Sequence, residues 1–100
     1  MDFGIFTMFS ARETSTQHEI FDEWFDVVRI AEESGIDTFW LGESHFRPHR
    51  AMMASPLIGA SAVASRTQRM RVGLAVQVLP LVNPLRIAEE AAIVDHISEG

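Results

Sequence analysis

Three short apolar runs, centred on Phe3, Phe39 and Leu74, recur along the chain at intervals of 36 and 35 residues. Each is too short for a helix and is bounded by glycine, proline or polar residues. They read as strands over Met1 to Phe9, Asp37 to Gly42 and Met70 to Leu79. The interval matches the ~30 or more residues of a strand–helix unit, and the stretches between carry helix punctuation. After a polar loop from Ser10 to Ser15, Thr16-Gln17-His18-Glu19 has capping-box spacing, and Gly35 is the expected stop. Ser55-Pro56 and Asn83-Pro84 each set a cap residue before a proline at the first helical position. They open one helix through about Arg66, rich in small residues suited to close packing, and another over Leu85 to Ser98 with Gly100 as its stop. In the first helix Ile20, Trp24, Val27, Val28 and Ala31 form an apolar face opposite Asp22, Glu23, Asp26, Arg29 and Glu33. The order is β-α-β-α-β-α.

The strands show no clear alternation, which predicts burial on both faces, as in a parallel sheet flanked by helices. Two architectures remain, a doubly wound sheet and a (β/α)8 TIM barrel. No Gly-x-Gly-x-x-Gly follows the first strand; its loop is long and hydroxyl-rich, which favours the barrel. A barrel needs about 250 residues. Residues 1–100 are therefore expected to be the N-terminal part of a single barrel domain, supplying its first three βα units. Alone they would leave the third strand's edge unpaired and the chain unstable.

Composition narrows the function. The net charge is -6 and all eight basic residues are arginine, spread along the chain, so a nucleic-acid partner is not expected. No apolar run approaches the ~20 residues of a membrane helix, and no cysteine is present for a disulfide or thiolate site. A cytoplasmic protein without a membrane association is expected.

In a barrel, chemistry gathers at the C-terminal ends of the strands. Thr7 to Ser10, Gly42 to Arg50 and Val76 to Pro80 would therefore share one pocket mouth. Thr38 to Arg50 ends an apolar run in Glu43, Ser44, His45, Phe46, Arg47, Pro48, His49 and Arg50, costly residues for a simple turn. On extended chain Glu43 and His45 point the same way and Ser44 the other. A carboxylate beside an imidazole can fix its tautomer and support proton transfer near neutral pH. The plainer reading is that both bond to loop amides. A metal site of Glu43, His45 and His49 is disfavoured, because Pro48 opposes helical geometry and Arg47 and Arg50 repel a cation. Phe6, Phe9 and Phe46 near the mouth suggest an apolar substrate or simple packing.

The chain resembles the bacterial luciferase-like family of flavin-dependent monooxygenases along essentially its whole length. The likeness is carried by the opening Met1-x-Phe3-Gly4-Ile5-Phe6, by Ala31 to Leu41, by Glu43-Ser44-His45-Phe46, by Val72 to Pro80, and by Asn83 to Glu90 leading to Asp95 to Gly100. The resemblance implies a (β/α)8 fold, usually a homodimer, that uses reduced FMN and O2 to oxidise a small organic substrate, with a flavin reductase as a possible supplier. Some branches use the deazaflavin F420 as dehydrogenases. It also implies a non-prolyl cis peptide between Ala75 and Val76, with Ala75, Val76 and Gln77 forming a backbone shelf for the flavin ring. Glu43, Ser44 and His45 would be the catalytic residues. Glu43 and His45 match the first and third positions of the family's Glu-His-His-Phe box, whereas Ser44 replaces a histidine credited with proton chemistry in light-emitting members. A hydroxyl can donate a hydrogen bond but is no base near neutral pH. A noncatalytic partner subunit is the alternative of a different class.

Overall fold

The computed structural model describes residues 1–47 and 50–100. The elements follow in the order β1 (Gly4–Thr7), α1 (Gln17–Glu33), β2 (Thr38–Leu41), α2 (Pro56–Ala64), β3 (Arg71–Leu74), a single 3-10 turn at Leu79–Leu81 and α3 (Pro84–Ser98). The three strands form one parallel sheet in the order β1-β2-β3, with Phe6 beside Trp40 and Trp40 beside Gly73. Strand-like runs separated by capped helices thus produce the α/β organisation with a parallel sheet that the spacing predicts.

The helix ends show how local sequence fixes the units. Thr16 accepts from Glu19 N–H at 3.3 Å while the Glu19 carboxylate accepts from Thr16 N–H at 2.7 Å, completing the capping box. At the far end Gly35 adopts φ 85°, and Gly35 N–H and Ile36 N–H reach back to Glu32 O and Ala31 O. This is a Schellman stop, at a position where a Cβ would be strained. Asn83 Oδ1 accepts from Leu85 N–H at 3.0 Å and starts α3. Two expectations are corrected. Ser55 occupies the cap position of α2 but its side chain makes no capping bond, so Pro56 and burial define that start. The left-handed stop of α3 falls on Glu99, at φ 60°, one residue before Gly100.

The core lies on one side of the sheet. Phe39 and Leu41 of β2 are fully buried against Val28 and Ala31 of α1 and Ala60 and Val63 of α2, with Phe9, Met53 and Met70 closing the ends. Full burial of a side chain such as Phe39 or Leu41 stabilises by about 1.5–3 kcal/mol. Gly59 brings α2 close to the layer beneath: a Cβ there would lie 2.6 Å from Met53 Cε. The apolar face of α1 is rotated from its expected position. Val27 is exposed, and Phe21 and Phe25 pack on the core in its place. The reason is Phe9, whose ring stacks on Trp24 at 5.6 Å and meets Phe21 and Phe25 edge-on. Phe9 lies past the end of β1 at φ 52°, and its fully buried ring packs on the helices and away from the mouth.

Burial on both faces of the strands is not observed. The helices cover one face, and on the other Phe6 and Trp40 are 55% and 40% exposed among the described residues. Trp40 lies across its neighbours: a Cβ on Gly4 would stand 2.9 Å from its indole nitrogen, and one on Gly73 would overlap its ring. The third strand is also shorter than expected. Pairing ends at Leu74, and residues 75–78 run as irregular chain into the turn at Leu79–Leu81. No described helix is long and apolar enough to cross a membrane.

Candidate active site

All three strands end at the same rim, and their C-terminal extensions are stitched together there. Met52 N–H donates to Met8 O at 3.0 Å, tying the segment before α2 to the end of β1. Ser44 N–H donates to Met53 O at 2.8 Å. Across β2, Gly42 N–H reaches Thr7 O at 2.9 Å and Ala75 N–H reaches Leu41 O at 2.8 Å, one backbone bond closing each ladder just beyond its last paired residues. The three segments expected to share a pocket mouth do converge.

Glu43 stands at the centre of this rim. Its backbone N–H donates to Val76 O at 3.2 Å. Its side chain is 2% exposed, and both carboxylate oxygens are occupied. Oε2 accepts from Val78 N–H at 2.6 Å and from the Gln77 amide at 2.8 Å, and Oε1 lies 2.6 Å from His45 Nε2. The i, i+2 spacing thus places the carboxylate and the imidazole on one side. His45 keeps 35% of its side chain exposed.

The peptide bond between Ala75 and Val76 is cis, as the resemblance implies. Its flanking groups are held by the end of β2 through Leu41 O and Glu43 N–H, while the Val76 side chain is 64% exposed beside them. Gly42 lies directly behind Phe6, where a Cβ would approach the ring to 2.8 Å. Phe46, with φ 56°, is fully exposed next to His45. Phe6 and Phe46 therefore offer apolar surface on the open side of the sheet and at the rim, whereas Phe9 belongs to the core.

The structure brings Glu43, His45, Val76 and Gln77 into one network, with Ala75 on the adjoining backbone. Ser44 joins through its backbone, whose N–H donates to Met53 O. His49 and Pro48 lie outside the described residues, and so does the metal arrangement that would have used His49. Among the described residues no three metal-ligating side chains gather. The sequence reading placed Val78 in the rim segment Val76 to Pro80 without naming it as a site residue, and its backbone N–H is a principal partner of Glu43. No side-chain signal could have revealed it, because every non-proline residue carries the same N–H.

Comparison with known proteins adds context to this geometry. A family model described as luciferase-like monooxygenase matches residues 1–100. The alkanal monooxygenase alpha chain of Photorhabdus laumondii is 33% identical over 100 residues, covering 100% of this chain and 28% of that protein. The oxygenase component of the flavin-dependent trigonelline monooxygenase of Acinetobacter baylyi is 31% identical over 101 residues, with the same two coverages of 100% and 28%. Among solved structures, the oxygenating constituent of 3,6-diketocamphane monooxygenase from Pseudomonas putida, a type II Baeyer-Villiger monooxygenase in complex with FMN, superposes with a TM-score of 0.89. It is 21% identical, and the match covers 100% of this chain and 27% of that one, a likeness of fold. The chain thus spans under a third of the length of these relatives.

Proposed function

The chain belongs to the luciferase-like monooxygenase family, and from that premise we propose that it supplies the first three units of a (β/α)8 flavin-dependent monooxygenase oxidising a small organic substrate. One observation carries the reading: a buried carboxylate, bonded to the chain that follows β3, holds a partly exposed imidazole at the C-terminal rim of a parallel sheet. That rim is where barrel enzymes place their chemistry. The exposed face of the sheet, with Phe6 and Trp40, is the surface that the remaining strands of a barrel would enclose.

The residues fit a flavin. An isoalloxazine is a flat ring system with broad apolar faces and a polar edge. Small Ala75, exposed Val76 and the pinned backbone of residues 75–77 provide a shelf that a ring can approach, with His45 and Ser44 at its margin. Reduced FMN, when bound, supplies the electrons that activate O2. The protein's part is to hold, orient and shield. Ala75, Val76 and Gln77 support the ring; His45 moves a proton at the rim; Ser44 offers a hydroxyl hydrogen bond; Phe6 and Phe46 exclude water and favour an apolar substrate. Glu43 orders the group. The reading further includes a cytoplasmic homodimer fed by a separate flavin reductase, in keeping with the oxygenase-component relative.

Anaerobic titration of the protein with reduced FMN, followed by admission of O2 with and without an apolar aldehyde or ketone, tests this. Saturable binding and substrate-dependent product support it. Binding of F420 with hydride transfer and no oxygen uptake moves the reading to a dehydrogenase, and failure to bind either cofactor refutes it in favour of a noncatalytic partner subunit.

A further inference from the structure

An ionised carboxylate only accepts hydrogen bonds, whereas a neutral imidazole carries one donor and one acceptor nitrogen. The partners of Glu43 therefore have their polarity dictated. Val78 N–H is an obligate donor and occupies Oε2 at 2.6 Å; the Gln77 amide must turn its Nε2 to the same oxygen, at 2.8 Å. Gln77 Oε1 consequently points away and is buried without a partner among the described residues, an arrangement consistent with the demand of Glu43 for donors. On the other oxygen, His45 Nε2 lies 2.6 Å from Oε1 and must likewise donate. With 2% of its side chain exposed and both oxygens in use, Glu43 presents no face to a ligand.

We propose that Glu43 is a positioning residue which holds neutral His45 as the Nε2–H tautomer, leaving Nδ1 as the accepting atom at the rim. The proton-handling atom of the site is then His45 Nδ1, and Glu43 acts through it without touching the reacting groups. This assignment rests on the proposed function only where turnover is concerned; the tautomer itself is a property of the protein.

The inference makes an unusual demand of Glu43→Gln. The new amide has one oxygen and one NH2. Two donors, Val78 N–H and the Gln77 amide, claim the oxygen. The NH2 must then face His45 Nε2, which can accept only if its proton moves to Nδ1. The outward atom changes from acceptor to donor, with side-chain shape preserved.

The experiment is long-range proton–nitrogen NMR of the protein labelled with 15N-histidine, at about two pH units above the ordinary imidazole value. His45 is assigned by the signal lost in His45→Gln. The expected results are Nε2–H in the wild type, Nδ1–H in Glu43→Gln, and retained Nε2–H in Gln77→Ala, where Val78 N–H still holds the carboxylate. Turnover of Glu43→Gln should fall ~10²–10⁴-fold, the usual range for a lost proton-transfer group. A wild-type Nδ1–H tautomer, or one unchanged by Glu43→Gln, overturns the inference. An inverted tautomer with unchanged turnover upholds it while overturning the proton-transfer role given to His45 above. Should Glu43→Gln fail to fold, the wild type and Gln77→Ala spectra decide.

Discussion

Glu32 offers the sharpest test of how this chain is held together, at the rim opposite the candidate site. Its Oε1 accepts from three successive backbone N–H groups, Gln68 at 2.8 Å, Arg69 at 2.6 Å and Met70 at 3.1 Å. Arg69 returns the contact by donating to Glu32 O and Ile36 O at the end of α1. One carboxylate thus joins α1 to the approach of β3. Desolvation, the largest single influence on Glu32, raises its pKa; the bonds from Arg69, Gln68 and Met70, with the Arg69 charge, together outweigh it, so the carboxyl titrates below its ordinary value. A hydrogen bond to a charged group contributes about 1.5–3 kcal/mol when well sheltered. Three donors sharing one oxygen of a partly exposed residue are not additive and are screened, so Glu32→Ala should cost about 2–3 kcal/mol and Glu32→Gln about half of that. Because the folded pKa is depressed, the stabilisation is complete above the unfolded value and disappears as pH falls through the folded one. Urea unfolding at neutral pH and again near pH 3 measures both effects, and the wild type and Glu32→Gln should converge in acid. A neutral-pH loss under about 0.5 kcal/mol for Glu32→Ala, the noise of an ordinary surface change, would refute the reasoning. So would a difference between wild type and Glu32→Gln that ignores pH.

Two further outcomes follow from packing and capping. Gly73→Ala drives a methyl into the Trp40 ring and should destabilise by about 1–3 kcal/mol; adding Trp40→Ala should recover part of that loss, a non-additivity read from denaturant midpoints. Thr16→Ala and Asn83→Ala each remove a capping acceptor and should cost about 1 kcal/mol, whereas Ser55→Ala, which loses no capping bond, should stay within about 0.5 kcal/mol in the same assay.

The units were legible because their signals are local. Capping boxes, cap-plus-proline pairs and short apolar runs act within a few residues, so Thr16, Gly35, Asn83 and the existence of three strands can be read directly, although Phe3 falls just before β1 and Leu74 ends β3. The location of the site followed from topology: residues after parallel strands must share a rim, and Glu43, His45 and Gln77 do. What could not be read depends on tertiary partners. Val27 and Phe21 are equally apolar, and only the Phe9 ring selects Phe21. Ser55 has the right chemistry for a cap but not the contact. The end of β3 at Leu74 is set by the irregular chain that Glu43 gathers, through a backbone group that no letter of the sequence announces.

Glu32 and Glu43 serve as anchors at opposite poles of the same small sheet, each gripping main-chain amides that precede or follow β3. The two clasps share no residue, so each end of β3 is fastened independently of the other. A change in the loops around the upper pole therefore leaves the lower clasp, and the register it keeps, untouched.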